Sequence, residues 1–233
     1  MVSEYIKNCV CCGSENILFT TVLWQSLINE WQISTQEIDY INKQQGLHCS
    51  NCKSNLRTMV LANSIMKFFN YQGLFKNFVQ ENSIKNLKIL EINEAGNLTF
   101  FLSQISGHTL KVYPEIDMMN IDYPDRYFDI VIHSDVLEHI KYPLRALSEC
   151  YRILKIGGGC AFTVPMIVDR LTRRREGLPP SYHGSGENYS DFLVYTEYGC
   201  DIWKEIIESG FQECRLYSLD YPAAQAWVGV KSL

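Results

Sequence analysis

The spacing of apolar and polar residues divides the chain into parts with different predicted structures. Between residues 55 and 82 the apolar residues recur three and four positions apart, which predicts helix with a break near Gly73. Beyond residue 86, short apolar runs alternate with amphipathic stretches. Strands that alternate with helices in this way are typical of a mainly parallel sheet with helices on both faces. We therefore predict a doubly wound α/β fold.

The second part of the chain contains six predicted strands and three predicted helices. The strands are expected at 87–92, 109–113, 129–133, 160–164, 212–219 and 226–230. The helices are expected at 98–105, from Pro143 to 154, and at 201–209. The run 129–133 is continuously apolar, which is typical of a strand that is buried on both faces. Gly157-Gly158-Gly159 is predicted to end the helix that Pro143 begins.

Residues 1–60 contain two Cys-x-x-Cys pairs, with short β-type and polar stretches between them and Trp24 and Trp31 as packing anchors. Two such pairs have the ligand set of a structural Zn²⁺ site, in which four thiolates surround the ion tetrahedrally. The alternative is unrelated buried cysteines. The predicted ligands are Cys9, Cys12, Cys49 and Cys52, with Cys11 and His48 as spares. The single cysteines are predicted to be small core residues: Cys150, Cys160, Cys200 and Cys214.

Composition narrows the classes of function. The chain has 233 residues, with 21 basic and 26 acidic side chains, and its net charge is −5. Nucleic acid is an unfavourable partner for such a chain, because phosphate contacts need clustered Lys and Arg. No run reaches the ~20 apolar residues that a membrane span needs, and the N-terminus lacks the basic and apolar regions of a signal peptide. We expect a cytoplasmic protein without a membrane span.

One segment indicates where a ligand binds. Tyr127-Phe128-Asp129-Ile130-Val131-Ile132-His133-Ser134-Asp135-Val136-Leu137-Glu138-His139 is an apolar strand followed by a polar turn and a helix start. Ligands of open α/β sheets bind outside the carboxyl ends of such strands. With the stretches before and after it, this segment resembles the class I S-adenosylmethionine (SAM) methyltransferases. The resemblance covers about residues 87–230, is most specific at 113–165, and is closest to bacterial type 11 methyltransferase domains that follow a Cys-x-x-Cys ribbon.

The resemblance implies a Rossmann-like fold and a set of cofactor-binding residues. In the family, an acidic residue and a glycine-rich turn follow the first strand. Here that stretch is Glu91-Ile92-Asn93-Glu94-Ala95-Gly96-Asn97, with Asn93, Ala95 and Asn97 at the glycine positions. Asn tolerates the left-handed backbone that glycine supplies. The turn is therefore expected to contribute Glu91, Asn93 and Gly96.

The stretch before the third predicted strand supplies the adenosine contacts that the resemblance implies. Asp117 would accept from the adenine amine, Met118 would lie against the ring, and Glu115 would bind the ribose hydroxyls. Ser134 and Asp135 would lie beside the methionine part of the cofactor. The stretch between Gly96 and Asp117 is shorter than in the family, so one strand–helix unit is expected to be missing.

The loop at 169–184 follows the strand at 160–164 and is expected to face the acceptor. Methyl transfer mainly requires alignment of acceptor and methyl group, whereas a hydroxyl acceptor also needs a base. Tyr182 and His183 are candidates for acceptor contact, and His183 and His139 for the base. His133 also competes for that role, although a core position is equally open to it. Four arginines, at 170 and 173–175, would suit an anionic group on the acceptor.

Several hypotheses about function and organisation remain open at this level. The first is a SAM-dependent methyltransferase acting on a small molecule or a glycan. The second is a catalytically silent relative that serves as a binding or scaffold protein. The third is an RNA methyltransferase that docks through the ribbon. The predicted division is a zinc-ribbon-like unit with four cysteine ligands at 1–60, a helical connector at 61–86, and a methyltransferase domain at 87–233.

Overall fold

The computed structural model of the protein describes residues 6–183 and 191–232. The strands are β1 Ile17–Phe19, β2 Leu47–Cys49, β3 Ile89–Ile92, β4 His108–Lys111, β5 Phe128–Ser134, β6 Leu154–Thr163, β7 Met166–Ile167, β8 Arg173–Arg174, β9 Thr196–Gly199, β10 Glu213–Leu219 and β11 Ala224–Val230. The α-helices are α1 Gln25–Glu30, α2 Thr35–Gly46, α3 Leu56–Phe68, α4 Phe75–Phe78, α5 Leu98–Leu102, α6 Pro143–Ile153 and α7 Trp203–Glu208. A 3₁₀ turn spans Leu137–His139.

The central sheet has six strands in the order β10-β11-β6-β5-β3-β4. Strands β4, β3, β5 and β6 are parallel, whereas β11 is antiparallel to both of its neighbours. This arrangement confirms the predicted mainly parallel α/β sheet. The expected shortening is also present: residues 112–127, all of which the structure describes, contain no helix or strand between β4 and β5.

Alternate residues of the central strands face two different hydrophobic clusters. Ile130 and Ile132 pack on the side of α3, α4 and α5, and Val131 packs on the side of α6. Both faces of β5 are therefore covered by helices, which explains why its apolar run is continuous. The sheet is therefore the middle of three layers, with helices on each face. The carboxyl ends of the parallel strands form the edge of the sheet that is discussed below.

The segment between the two cysteine pairs is helical, so the prediction of β-type stretches there was wrong apart from β1 and β2. Helix α2 begins after Ser34, whose Oγ accepts from Glu37 N while a Glu37 carboxylate oxygen accepts from Ser34 N. This capping box is visible in the sequence Ser-Thr-Gln-Glu. Of the two predicted anchors, Trp31 is buried and Trp24 is exposed.

The triple glycine does not end helix α6, which contradicts the prediction. The helix ends at Ile153, and β6 runs through the glycines. A Cβ on Gly159 would lie 2.9 Å from the Phe68 ring, and one on Gly158 would lie 2.9 Å from Asp129 O. The glycines therefore allow the close approach of α3 and β5 to this strand.

Another correction concerns the single cysteines. Cys150 and Cys160 are buried as predicted, but Cys200 is exposed and Cys214 is only half-buried. A third hydrophobic cluster joins α1, α2 and the start of α3 to Ile167, Val194 and β11. The predicted division at residue 60 falls inside α3 and stays a prediction. Among the described residues, no helix combines the length and apolar character needed to cross a membrane.

Candidate active site and candidate metal centre

A cavity of about 410 Å³ opens at the carboxyl ends of β3, β4 and β5. We name it the cofactor cavity. Its wall combines apolar residues with a few polar ones: Ile92, Asn93, Val112, Tyr113, Ile116, Asp117, Met118, Met119, Asp135, Val136, His139, Ile140, Lys141, Asp191, Phe192 and Tyr195. Four of the eight cofactor-binding residues predicted from the sequence are in this wall: Asn93, Asp117, Met118 and Asp135.

The turn after β3 keeps a left-handed backbone without the family's glycine pattern. Asn93 has φ 56° and Gly96 has φ 58°. The Asn93 Oδ1 accepts from Tyr113 N at 2.9 Å, which fixes the turn to the residues after β4. Asn93 therefore supplies the conformation for which the family uses glycine, and it also lines the cavity.

Glu91, which the sequence predicts to bind the cofactor, does not line the cofactor cavity. It is fully buried, and one carboxylate oxygen accepts from Ala95 N at 2.8 Å and Thr99 Oγ1 at 2.6 Å. The other oxygen lies 2.7 Å from His108 Nε2. Its acidic side chain therefore holds the turn between β3 and α5 in place. Gly96 is also outside the cavity wall and faces Thr58.

Of the three residues predicted to contact adenosine, Asp117 and Met118 line the cofactor cavity and Glu115 does not. Asp117 is exposed at the cavity, and one of its oxygens accepts from Met119 N at 2.8 Å. Met118 is buried beside it and gives the cavity an apolar surface. Glu115 lies outside the wall, and its carboxylate is 3.4 Å from Lys111 Nζ at the surface. A carboxylate acceptor beside an apolar face fits adenine, which has an amine that donates and a flat ring.

Ser134 and Asp135 follow β5 but have different surroundings. The Ser134 hydroxyl is 2.7 Å from the Thr163 hydroxyl of β6, and Ser134 is not in the cavity wall. Asp135 has φ 54° and forms an ion pair with Arg57 of α3. Arg57 also donates to Gln44 Oε1 at 2.5 Å. The N-terminal part of the chain thus reaches the sheet edge through one buried arginine.

A second cavity, of about 270 Å³, lies next to the first, between the N-terminal helices and the sheet edge. We name it the acceptor cavity. Asp135, His139 and Phe192 line both cavities, so the two meet there. The rest of the wall is mostly apolar: Val22, Leu23, Trp24, Leu27, Trp31, Ile33, Ile41, Gln44, Gln45, Arg57, Glu138, Pro165, Met166, Ile167 and His183.

The histidine candidates lie in different environments. His183 lines the acceptor cavity with its ring centroid 4.8 Å from that of Trp31, and burial lowers its pKa to about 4. His139 lines both cavities, its Nδ1 lies 3.1 Å from Leu193 O, and burial lowers its pKa as well. Tyr182 is outside both cavity walls. His133 is fully buried against Phe162, with ring centroids 4.7 Å apart, so the core alternative holds for it.

Glu138 and Arg57 were not predicted as site residues from the sequence, yet both line the acceptor cavity. Burial, and then the charge of Asp135, raises the pKa of the Glu138 carboxyl well above its ordinary value. Arg57 stands within the apolar helical run that begins at Leu56, and a cation in a helix that is buried on nearly all sides requires a partner. That signal was present in the sequence.

The arginines of the 169–184 loop are paired within the protein, so the structure does not support an anion site built from them. Arg170 binds both carboxylate oxygens of Glu37, at 2.7 and 2.8 Å. Arg173 and Arg175 share Glu197, and Arg174 pairs with Glu205. These ion pairs join the loop to α2, β9 and α7.

The four predicted metal ligands converge although they come from opposite ends of a long segment. The Sγ atoms of Cys9, Cys12, Cys49 and Cys52 lie within 4.8 Å of one another. The Cys9–Cys52 and Cys12–Cys49 sulfur pairs are both 3.6 Å apart, close to the ~3.8 Å that tetrahedral Zn–S bonds of about 2.3 Å imply.

The two pairs also have matching backbone turns. Gly13 N donates to Cys9 O and Lys53 N donates to Cys49 O, at 2.8 and 2.9 Å. Gly13 and Lys53 have φ of 84° and 62°. Strands β1 and β2 connect the two turns. A donor set of four thiolates in this arrangement fits Zn²⁺.

The chain was compared with known protein families, with curated proteins and with solved structures. The type 11 family, described as "Methyltransferase domain", matches residues 96–162. This match and the sheet order support a class I methyltransferase fold and SAM-dependent methyl transfer. No curated protein matches the chain.

Three solved structures are among those similar to this chain. One is a SAM-dependent methyltransferase from Thermotoga maritima, with 13% identity, 76% of this chain and 90% of that chain covered, and a TM-score of 0.44. The CurJ carbon methyltransferase has 11% identity, covers 90% of this chain and 70% of its own, and has a TM-score of 0.43. The citrinin polyketide synthase CMeT domain has 11% identity, covers 89% and 68% respectively, and has a TM-score of 0.43.

Proposed function

We propose that the protein transfers the methyl group of SAM to a small acceptor molecule held in the acceptor cavity. The observation that supports this most directly is the meeting of the two cavities at Asp135 and His139. One cavity has the acid and the apolar face that fit adenosine. The other is closed on its far side by the N-terminal helices. Methyl transfer needs two such sites in contact.

The lining of the acceptor cavity favours a small apolar molecule over a glycan. Trp31, Leu27 and Ile167 are buried there, and apolar walls with few polar groups suit compact apolar ligands. The arginines that could have bound a phosphate-linked glycan already have carboxylate partners. A small acceptor is therefore the class that we propose.

SAM, when bound, supplies an activated methyl group on a sulfonium. In the proposed site, Asp117 would accept a hydrogen bond from the adenine amine, and Met118 would lie against the ring. Asn93 holds the turn at the cavity. Trp31 and His183 align the acceptor, and the buried wall excludes water from it.

We also propose that Cys9, Cys12, Cys49 and Cys52 bind Zn²⁺ and that this ion has a structural role. Four protein ligands leave no open position for catalysis. The second turn is followed at once by α3, which carries Arg57 to the sheet edge. The metal site would therefore stabilise the wall of the acceptor cavity.

The test of the proposed function is the heat of binding of SAM to the purified protein. Asp117→Ala should weaken binding about tenfold to a hundredfold, the loss expected for one hydrogen bond to a charged group. Asp122→Ala is the matched control, because Asp122 is a nearby exposed acid outside the cavity wall. An absence of SAM binding to the wild-type protein would contradict the proposal and favour a silent binding protein.

A further inference from the structure

Three buried polar atoms around the acceptor cavity lack a hydrogen-bond partner among the residues that the structure describes. They are Glu138 Oε2, His183 Nε2 and Arg57 Nε. Buried polar atoms are nearly always paired in native proteins, because an unpaired one costs free energy. Because three such atoms belong to residues that line one mostly apolar cavity, we infer that a bound molecule completes their hydrogen bonds there.

Glu138 is held rigidly at this wall. It lies in the 3₁₀ turn after β5, it is 2% exposed, and its backbone oxygen accepts from Tyr195 N at 2.8 Å. One carboxylate oxygen is 3.7 Å from His139 Nε2, and the other has no partner among the described residues. The charged and titratable groups that act on it are Asp135, Arg57, His139 and Tyr198, and His183 lines the same cavity.

We propose that Glu138 binds the hydroxyl group of the acceptor and takes its proton during methyl transfer, and that the acceptor is a compact apolar ring compound bearing that hydroxyl. This inference rests on the proposed methyltransferase function. The oxygen–methyl bond forms while the methyl–sulfur bond breaks, and the electron pair of the broken bond remains on sulfur. The hydroxyl proton passes to Glu138 Oε2. His183 Nε2 and Arg57 Nε–H complete the polar end of the cavity.

The electrostatics distinguish Glu138 from the histidines as the base. Burial lowers the pKa of His183 to about 4 and also lowers that of His139, which weakens both histidines as bases. Burial and then the charge of Asp135 raise the pKa of the Glu138 carboxyl, which strengthens Glu138 as a base. A base is most effective when its pKa lies near the working pH. The shift of Glu138 is therefore the one in the direction that proton abstraction needs.

The acceptor class follows from the rest of the wall. Leu27, Trp31 and Ile167 are buried around the polar end, and the volume is about 270 Å³. A cavity of this size, below the roughly 300–1,000 Å³ typical of drug-sized ligands, holds one or two rings. A sugar would leave several hydroxyls against apolar side chains, and each unpaired hydroxyl would cost free energy.

Binding of two matched probes tests the acceptor class without any variant. We would titrate the wild-type protein with 2-naphthol and with naphthalene, following the change in Trp fluorescence. 2-Naphthol should bind about tenfold more tightly or better, because sites built to bind a hydroxyl discriminate against analogues that lack it. Equal affinities, or no binding of 2-naphthol, would overturn the proposed acceptor class. Neither result depends on whether SAM binds.

Methyl transfer from radiolabelled SAM to 2-naphthol tests the base. Glu138→Gln keeps the shape and one oxygen, so 2-naphthol binding should change less than about threefold while the rate of transfer falls about a hundredfold or more. The wild-type rate should rise with pH through the raised pKa of Glu138, and the variant should lose that dependence. Glu208→Gln, an exposed helix position outside both cavities, is the control.

These experiments distinguish failure of the proposed methyltransferase function from failure of the proposed role of Glu138 or of the proposed acceptor class. A Glu138→Gln variant that transfers methyl at the wild-type rate would overturn the role of Glu138. If that variant does not fold, a flat pH profile of the wild-type rate would overturn it instead. Heat of SAM binding, measured on the same samples, reports on the methyltransferase function alone. SAM binding without 2-naphthol binding would therefore reject the acceptor and leave the methyltransferase function standing.

Discussion

Arg57 and Asp135 form an ion pair between the first turn of α3 and the residue that follows β5. The two partners differ in exposure: the Arg57 side chain is 3% exposed and that of Asp135 is 44% exposed. An unpaired charge costs far more in the interior than at a surface open to water. The pair therefore connects the N-terminal part of the chain to the carboxyl edge of the sheet. Loss of Asp135 and loss of Arg57 should have different effects on stability.

That asymmetry predicts unequal costs for breaking the pair from either side. Asp135→Asn keeps a residue that tolerates the left-handed backbone but leaves Arg57 buried without its anion, so we expect a loss of about 3 kcal/mol. Arg57→Met removes the buried charge and fills its space, and it should cost less than about 1 kcal/mol. The measurement is urea unfolding of each single variant and of the double variant. The double variant should be as stable as Arg57→Met alone, and equal costs of the two single changes would contradict this explanation.

The turn after β3 allows a second prediction. Asn93 has a left-handed backbone, so Asn93→Gly should change the free energy of unfolding by less than about 1 kcal/mol, because the lost Asn93–Tyr113 hydrogen bond is offset by an easier backbone. Asn93→Val should lose about 2 kcal/mol or more, since a β-branched residue is strained at positive φ. Thermal unfolding of both variants is the measurement. A Val variant as stable as the Gly variant would show that the turn relaxes to another backbone conformation.

Removal of the proposed metal should unfold the N-terminal part. We expect about one zinc ion per chain by elemental analysis, lost in Cys49→Ser together with about 10 °C in Tm, the shift that a loss of about 4 kcal/mol gives in a chain of this size. Cys200→Ser is the matched control, because Cys200 is exposed and outside the cluster. Full stability of Cys49→Ser, or a metal-free wild-type protein, would contradict a structural zinc site.

Local sequence patterns predicted much of the sheet but less of the site. The continuous apolar run of β5 and the proline at the start of α6 are local signals, and the elements lie where these signals place them. Whether an acid lines a cavity depends on its partners elsewhere in the chain. The Glu91 carboxylate contacts His108 and Thr99, and the Glu115 carboxylate contacts Lys111. Both acids nevertheless stand at the positions that the family resemblance indicates.

The acceptor cavity was beyond sequence reasoning for a related reason. Its far wall comes from α1 and α2, which pack on the sheet edge through contacts between distant parts of the chain. The capping box at Ser34 and Glu37 could have revealed α2, but no local pattern gives the position of Trp31 beside His183. The arginines at 170 and 173–175 were predicted from the sequence to be able to bind an anionic group of the acceptor. In the structure they pair with carboxylates of other elements, which the local sequence does not reveal.

The buried groups of the acceptor cavity predict two opposite effects of pH on stability. His183 has a pKa of about 4 when folded, below its ordinary value of 6.5, so the unfolded chain takes up a proton first as pH falls. Stability should therefore decrease from pH 6.5 towards pH 4, by about 1.5 kcal/mol between pH 6.5 and 5. The pKa of Glu138 is raised above 4.5, so its contribution is complete below pH 4.5 and is lost as pH rises towards its folded value.

Two variants separate these effects. His183→Phe keeps a ring beside Trp31 and cannot titrate, so its free energy of unfolding should fall less than that of the wild type between pH 6.5 and 5. Glu138→Gln removes the other group, so its stability relative to the wild type should increase with pH above 4.5. Urea unfolding at about pH 5, 6.5 and 8 gives both slopes. Parallel pH curves for the wild type and His183→Phe would mean that His183 takes up its proton over the same pH range in the folded protein as in the unfolded chain, which contradicts a ring in a dry cavity wall.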